Sequence, residues 1–153
     1  MNIDEKERLE IVDILKFYRL HIGVDKERIN YLIGVVTNLD DSWSVKQKAE
    51  NIIERVSKCT GIPVEKIKSK DRHRDVTTAR QYAMYIIHKK YHVEERLLTT
   101  IYIASMFGRD HATVLHAKNT ISDLLQMNDP LVDVIHNAYQ KGIIIDKDEL
   151  QYA

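Results

Sequence analysis

The sequence predicts an all-α protein: a multi-helix domain containing a helix-turn-helix, preceded by a helical N-terminal extension. Three observations carry this expectation. Only two prolines and five glycines punctuate the 153 residues, and no clear alternating run of the strand type occurs. Apolar residues recur instead at steps of three and four, the period of a helix face. At residues 107–117, F-G-R-D-H-A-T-V-L-H-A, a glycine-containing turn separates two such windows.

From the N-terminus, residues 4–20 and 25–36 read as two helices separated by His21, Ile22, Gly23 and Val24. Asp25 caps the second, which turns Ile29, Leu32, Ile33 and Val36 to one face. The first is apolar over a broad arc of Leu9, Ile11, Val12, Ile14, Leu15, Phe17 and Tyr18. A helix that apolar needs cover, from its partner helix, from the following domain or from a second copy of the chain. Residues 38–43 form a short polar connection and a domain boundary. Trp43 reads there as a packing anchor, because a lone aromatic is a weak base-stacking platform. Ser44, with Gln47 three positions later, has the pattern of a capping box. The helix it opens places Val45, Ala49, Ile52, Val56 and Cys59 on one face and stops at Gly61. Cys59 is the only cysteine, so there is neither an intrachain disulfide nor a cysteine zinc cage. It reads as a small buried residue near a helix end.

Residues 63–68 suit a helical turn with Pro63 at its start. Lys66, Lys68, Lys70, Arg72 and Arg74 then alternate with other residues, and Asp71 is the one acid among them. Asp75 is expected to cap a long helix to about Tyr91, with Val76, Ala79, Ala83 and Ile86 inward and Arg80, Gln81, His88 and Lys89 outward. His88 and His92 lie four apart, but without a third ligand they do not make a metal site. A second apolar piece, 97–106, leads into the Phe107–Gly108 turn. Asp110 then caps a helix carrying Val114, Ala117, Ile121 and Leu124 on its buried face. Asp129 and Pro130 open a last helix to about Tyr139, with Leu131, Val134, Ile135 and Ala138 inward, and the acidic tail from Asp146 is expected to be mobile. The organisation expected is an extension over 1–43, a domain over 44–141 and a tail over 142–153.

The charges total zero, 23 basic against 23 acidic residues, but they are unevenly placed. Residues 61–128 hold 11 basic and 7 acidic residues, whereas the segments on either side are net negative. A basic middle is the footprint expected of a nucleic-acid binder. The chain shows nothing resembling a signal peptide or a membrane-spanning run, so a soluble, cytoplasmic protein is expected. Its 153 residues hold no G-x-x-x-x-G-K-[ST] and no carboxylate pair or metal cluster of catalytic spacing, so no cofactor, metal or enzymatic activity is expected.

Two blocks identify a relationship. G-R-D-H-A-T-V-L-H-A, residues 108–117, closely resembles the signature of the C-terminal DNA-binding domain of the bacterial replication initiator DnaA. S-K-D-R-H-R-D-V-T-T-A-R-Q-Y-A-M-Y, residues 69–85, resembles that family's basic loop and the helix after it. The resemblance runs from about Lys46 to about Tyr139. It implies a protein without the ATPase domain that binds double-stranded DNA sequence-specifically, at sites like TTATCCACA, in replication initiation or its regulation. It would be cytoplasmic and associated with the nucleoid.

By this resemblance Arg109, Asp110, His111, Ala112 and Thr113 form the base-reading turn, and Arg72 enters the minor groove. Lys70, Arg74 and Lys89 supply flanking positive charge, while Arg80 and Gln81 match backbone-contacting positions. The chemistry suits these roles. Aspartate accepts from a cytosine amino group, histidine bonds a base edge, and a threonine methyl packs on thymine. A guanidinium suits a narrow, electronegative minor groove. An N-cap role for Asp110 is compatible with base reading.

The chain also departs from the pattern. Residues 91–98 are about five longer than usual, the turn has one glycine where two are common, and Ala112 replaces a frequent threonine. The rival reading is a protein-interaction module or transcriptional regulator that has lost or changed this specificity. Residues 1–43 are the candidate surface for a homodimer or a replication-protein partner.

Overall fold

The computed structural model describes residues 5–21 and 26–152. The expectations placed on Asp4, on the connection at Ile22, Gly23 and Val24, on the Asp25 cap, and on the side chains of Val36 and Trp43 lie outside the described residues. In chain order the helices are α1 (Glu5–His21), α2 (Lys26–Thr60), α3 (Val64–Ile67), α4 (Arg74–Ile87), a π-helical stretch (His88–Glu94), α5 (Thr100–Met106), α6 (His111–Gln126), α7 (Pro130–Lys141) and α8 (Lys147–Tyr152). No strand occurs among the described residues, and the protein is all-α.

The break expected at residues 38–43 does not occur. α2 runs through it, and Ser44 lies inside the helix rather than at an N-cap. No glycine or proline stands between residues 35 and 60, and polar side chains alone do not end a helix. Contacts nevertheless divide the chain into two units, residues 1–47 and 48–153. In the first unit Ile29 is buried, but Leu9, Ile11, Ile14, Phe17 and Tyr18 of α1 are exposed, while Val12 and Leu15 are half-buried. The apolar arc of α1 is wider than the one face that is covered.

The second unit is built around α4, which packs chiefly on α6 and also on α3, α5 and α7. Its core joins Val76, Ala79, Tyr82, Ala83, Met84 and Ile87 of α4 to Val114, Ala117 and Ile121 of α6 and to Leu131, Ile135 and Ala138 of α7. The expected inward positions Ile86, Leu124 and Val134 are only half-buried. Apolar burial of this kind contributes about 25 cal/mol per Å² and is the main stabilisation of such a bundle.

Punctuation residues act where the sequence puts them. Gly61, at φ +72°, ends α2 with a hydrogen bond from its N–H to the Ser57 carbonyl. Asp129 caps α7 by accepting from the Val132 N–H at 3.1 Å, and Pro130 occupies the first turn, where its missing N–H has no partner to lose. Cys59 is buried in the last turn of α2, and its thiol lies 3.7 Å from the Ala138 carbonyl.

Three expectations are corrected. α4 begins at Arg74, one residue before Asp75, with His73 at the N-cap. Asp75 lies in the first turn instead, its Oδ1 accepting from the Val76 N–H. α4 also gives way at His88 to π geometry, closed by hydrogen bonds from Glu95 N–H to Lys90 O and from Leu97 and Leu98 N–H to Tyr91 O, with Arg96 at φ +54°. The longer segment before the next helix is taken up in this wider turn. Finally, the C-terminal tail is not without structure. Ile145 is buried, its N–H donates to the Cys59 carbonyl at 2.8 Å, and α8 follows, packed on α7.

Candidate nucleic-acid interface

α5 is capped by Thr99, whose hydroxyl accepts from the Tyr102 N–H, and buried Phe107 stands at its C-cap. Gly108 follows at φ +61°, a left-handed conformation that glycine adopts at least cost. Gly108 N–H donates to Ser105 O at 3.2 Å and Arg109 N–H to Ala104 O at 3.0 Å. This is a Schellman closure, satisfying carbonyls that the helix end would otherwise leave unpaired. It delivers the chain directly to Asp110, whose Oδ1 caps α6 by accepting from the Thr113 N–H at 2.9 Å and from its hydroxyl at 2.8 Å. Those bonds hold the Asp110 carboxyl below the usual aspartate range, so it is an acceptor at neutral pH. His111 and Ala112 are exposed on the same turn, and Arg109 and Thr113 are half-buried.

The basic loop, residues 69–73, has a built backbone. Ser69 Oγ donates to Lys66 O and accepts from the Asp71 N–H. Asp71 Oδ1 accepts from the His73 N–H at 2.8 Å and lies 2.6 Å from His73 Nδ1. The hydrogen bonds from His73 lower the Asp71 pKa. Short polar side chains of this kind turn the backbone locally. Lys70 and Arg72 remain exposed on the loop.

Two arginines then tie the loop down. Arg80, expected to point outward, is only 6% exposed. Its Nε donates to Ile67 O at 2.6 Å and its Nη2 to Asp71 O at 3.0 Å. Burial and the neighbouring Arg109 work against its charge, while Asp71 supports it. Arg109 in turn donates from Nη2 to Ser69 O at 3.1 Å. The result is one concavity of about 260 Å³, bordered by Lys70, Arg72, Gln81 and Arg109, with Thr77 and Thr113 on its wall. Thr77 is absent from the sequence-based set, although it lies four residues before Gln81 and therefore on the same face of α4.

The other candidates lie around this centre. Arg74 sits at the start of α4 with its guanidinium 3.7 Å from Asp129. Lys89 is exposed in the π-helical stretch and does not border the concavity. His88, also expected outward, is 4% exposed. Its ring lies 4.7 Å from that of His92, and neither of its nitrogens has a hydrogen-bond partner. His92 Nδ1 is 2.8 Å from Leu98 O. No group of three potential metal ligands occurs among the described residues, and no helix there is long and apolar enough to cross a membrane.

The family model of the bacterial DnaA protein helix-turn-helix matches residues 49–121. Among similar proteins, the chromosomal replication initiator protein DnaA of Streptococcus mutans is 38% identical over 82 residues, which are 54% of this chain and 17% of that protein. The protein of the same name from Picosynechococcus is 32% identical over 85 residues, 55% of this chain and 18% of that one. That from Streptococcus thermophilus is 36% identical over 91 residues, 58% and 19%. The chain therefore spans less than a fifth of the length of these relatives. No solved structure matches it significantly. The family match covers the helix-turn-helix described above, so residues 49–121 are similar to the helix-turn-helix of the bacterial DnaA protein.

Proposed function

We propose that the protein binds double-stranded DNA sequence-specifically at DnaA-box-like sites, in replication initiation or its regulation and without ATPase activity. The domain over 44–141 does the binding. The first turn of α6 lies in the major groove, with Asp110, His111, Ala112 and Thr113 at base edges, and Arg72 lies in the adjacent minor groove. Lys70, Arg74 and Lys89 attract the flanking backbone. Gln81 and the half-buried Arg109 sit where phosphates approach the concavity. Arg80 acts indirectly, as the positioning residue of the loop. The observation that carries this reading is the pair of arginine-to-carbonyl ties, which hold the Arg72 loop and the start of α6 beside one concavity. Two groove-reading elements need such a fixed offset to engage one duplex.

Fluorescence anisotropy with a TTATCCACA duplex and a scrambled duplex of equal composition, each at two salt concentrations, tests it. The box is expected to bind at least tenfold tighter than the scramble, with Arg72→Ala and His111→Ala each removing most of the difference. Equal binding to both duplexes would mean that the target has changed. Undetectable binding at low salt would favour the interaction-module reading.

The exposed stripe of Ile11, Ile14, Phe17 and Tyr18 on α1 supports a role of residues 1–43 in pairing with a second copy of the chain. Residues 5–13 of this helix hold four acids against Lys6 and Arg8, and Lys16 and Arg19 follow without an acid, so an antiparallel pair would set opposite net charges against each other. Light scattering should then give a dimer, and two boxes at fixed spacing should bind more tightly than independent sites. A monomer at high concentration, free and on DNA, removes the idea.

A further inference from the structure

The loop carrying Arg72 also borders a second concavity, which His73 lines. It measures about 510 Å³ and lies among α3, the start of α4, α7 and α8. Lys66, His73, Arg74 and Lys147 stand on its walls, and Asp75 is the one acid there. The loop therefore borders two hollows that carry cations: Arg72 lines the one shared with α6, and His73 lines the one shared with α8.

We infer that this second hollow is a phosphate-binding surface for the DNA strand on the far side of the minor groove, with Lys147 as its outermost contact. The inference rests on the DNA-binding reading above. A minor groove is about 6 Å wide and is walled by two phosphate backbones. A loop inserted into it meets one backbone on each side. The strand on the α6 side faces Arg109 and Gln81, and the opposite strand then passes over Lys66, Arg74 and Lys147.

The charges present are suited to exchange. The exposed Lys66 side chain lies 3.7 Å from Asp71, a loose contact. A pair of this kind contributes little in water, so a phosphate can take over the lysine. Lys147 is placed by the fold and not by a free tail, because the buried Ile145 anchors the chain to the end of α2 two residues earlier. The placement is also selective. α8 carries Asp148 and Glu149 beside Lys147, yet of these three only Lys147 lines the hollow. An acidic C-terminus thus presents its one lysine toward the path of the DNA.

The test measures affinity against salt concentration for boxed and scrambled duplexes, using wild type, Lys147→Ala, Lys147→Glu and Lys141→Ala. Lys141 is exposed at the end of α7 and lies outside the hollow, so its removal controls for net charge. Removing one phosphate contact lowers the slope of log K against log salt by about 1. Lys147→Ala is expected to show that change, with binding to both duplexes weakened about three- to tenfold at low salt. Lys147→Glu should lose more, and the ratio of box to scramble should stay constant. Lys141→Ala should keep the wild-type slope. A wild type that prefers the box while Lys147→Ala keeps its slope and affinity overturns this inference alone. A wild type that binds neither duplex at low salt overturns the DNA reading with it.

Discussion

Arg109 and Ser69, forty residues apart in sequence, are joined by a 3.1 Å hydrogen bond from the guanidinium to the carbonyl oxygen. The bond links the residue before the Asp110 cap of α6 to the first residue of the basic loop. With Arg80 bonded to Ile67 O and Asp71 O, the loop is held from two directions by cations whose ends point at its backbone. Neither arginine needs to touch a base to matter for specificity. In the proposed function each fixes the distance between two elements assigned to different grooves, and a displacement of about 1 Å in such an arrangement is costly.

Arg80 and Arg72 should therefore separate cleanly on substitution. Arg80→Ala removes charge-assisted bonds from two buried or half-buried carbonyls and should cost about 2–3 kcal/mol of stability. Box preference should weaken with it, because Arg72 is no longer held in place. Arg72→Ala, on an exposed side chain, should change stability by less than about 0.5 kcal/mol while removing most of the preference for the box. Urea unfolding and anisotropy on the same samples check both. Equal stability losses for the two variants would contradict the assignment of Arg80 to the scaffold.

Gly108 gives a second measurable separation. No heavy atom lies within 4 Å of where its Cβ would be, so space is not what excludes a side chain. The left-handed φ of +61° is. Gly108→Ala should cost about 1 kcal/mol, Gly108→Asn less, and Gly108→Val more, since only glycine and, to a degree, asparagine enter this region readily. Thermal unfolding of the three variants should follow that order. An alanine variant as stable as wild type would mean that the turn had relaxed to another geometry.

The parts of this architecture that could be read from the sequence are those set by a few neighbouring residues. Gly61, Gly108, Asp110 and the Asp129–Pro130 pair each act through bonds within about five residues, so their roles follow from local chemistry. Arg80 could not be read this way. Its direction depends on carbonyls 9 and 13 residues earlier, and periodicity places a side chain on a helix face without saying whether a loop passes beneath it. The same limit applies to His88, on a helix whose register shifts where π geometry begins. The continuity of α2 through residues 38–43 was hidden by polarity, which resembles a loop, although no helix breaker is present.

Acid should weaken the site through two carboxylates. Asp110 is held down by its bonds from Thr113 and Asp71 by its bonds from His73, so both have lower pKa values in the fold than unfolded. A depressed carboxylate contributes stability above its unfolded pKa, near 3.9, and that contribution is lost as pH falls through the folded value. Wild-type stability should thus be flat between pH 7 and 5 with respect to these groups and should fall below about pH 4. Asp71→Asn with Asp110→Asn keeps polar caps that do not titrate, and its acid limb should be shallower. Urea titrations at pH 5 and pH 3 measure the difference. Parallel losses in the double variant and the wild type would remove both groups as the cause.

His88 should act in a higher pH range and with a different remedy. Its ring is buried against His92, with both nitrogens unpartnered, and burial, His92 and Lys118 all push its pKa below the usual histidine value. The unfolded chain then takes up a proton as pH drops below about 6.5, while the folded chain resists it until lower pH. Stability should be fully present above pH 6.5 and should decline as pH falls toward the folded value. An apolar replacement of similar volume removes both the unpaired polar atoms and the titration. His88→Leu should therefore be more stable than wild type by about 1 kcal/mol at pH 7.5, and by more at pH 5.5. Urea midpoints at the two pH values decide this. A leucine variant that is less stable at both would show that the imidazole nitrogens have partners in solution, such as ordered water, and that the buried ring is supported rather than merely tolerated.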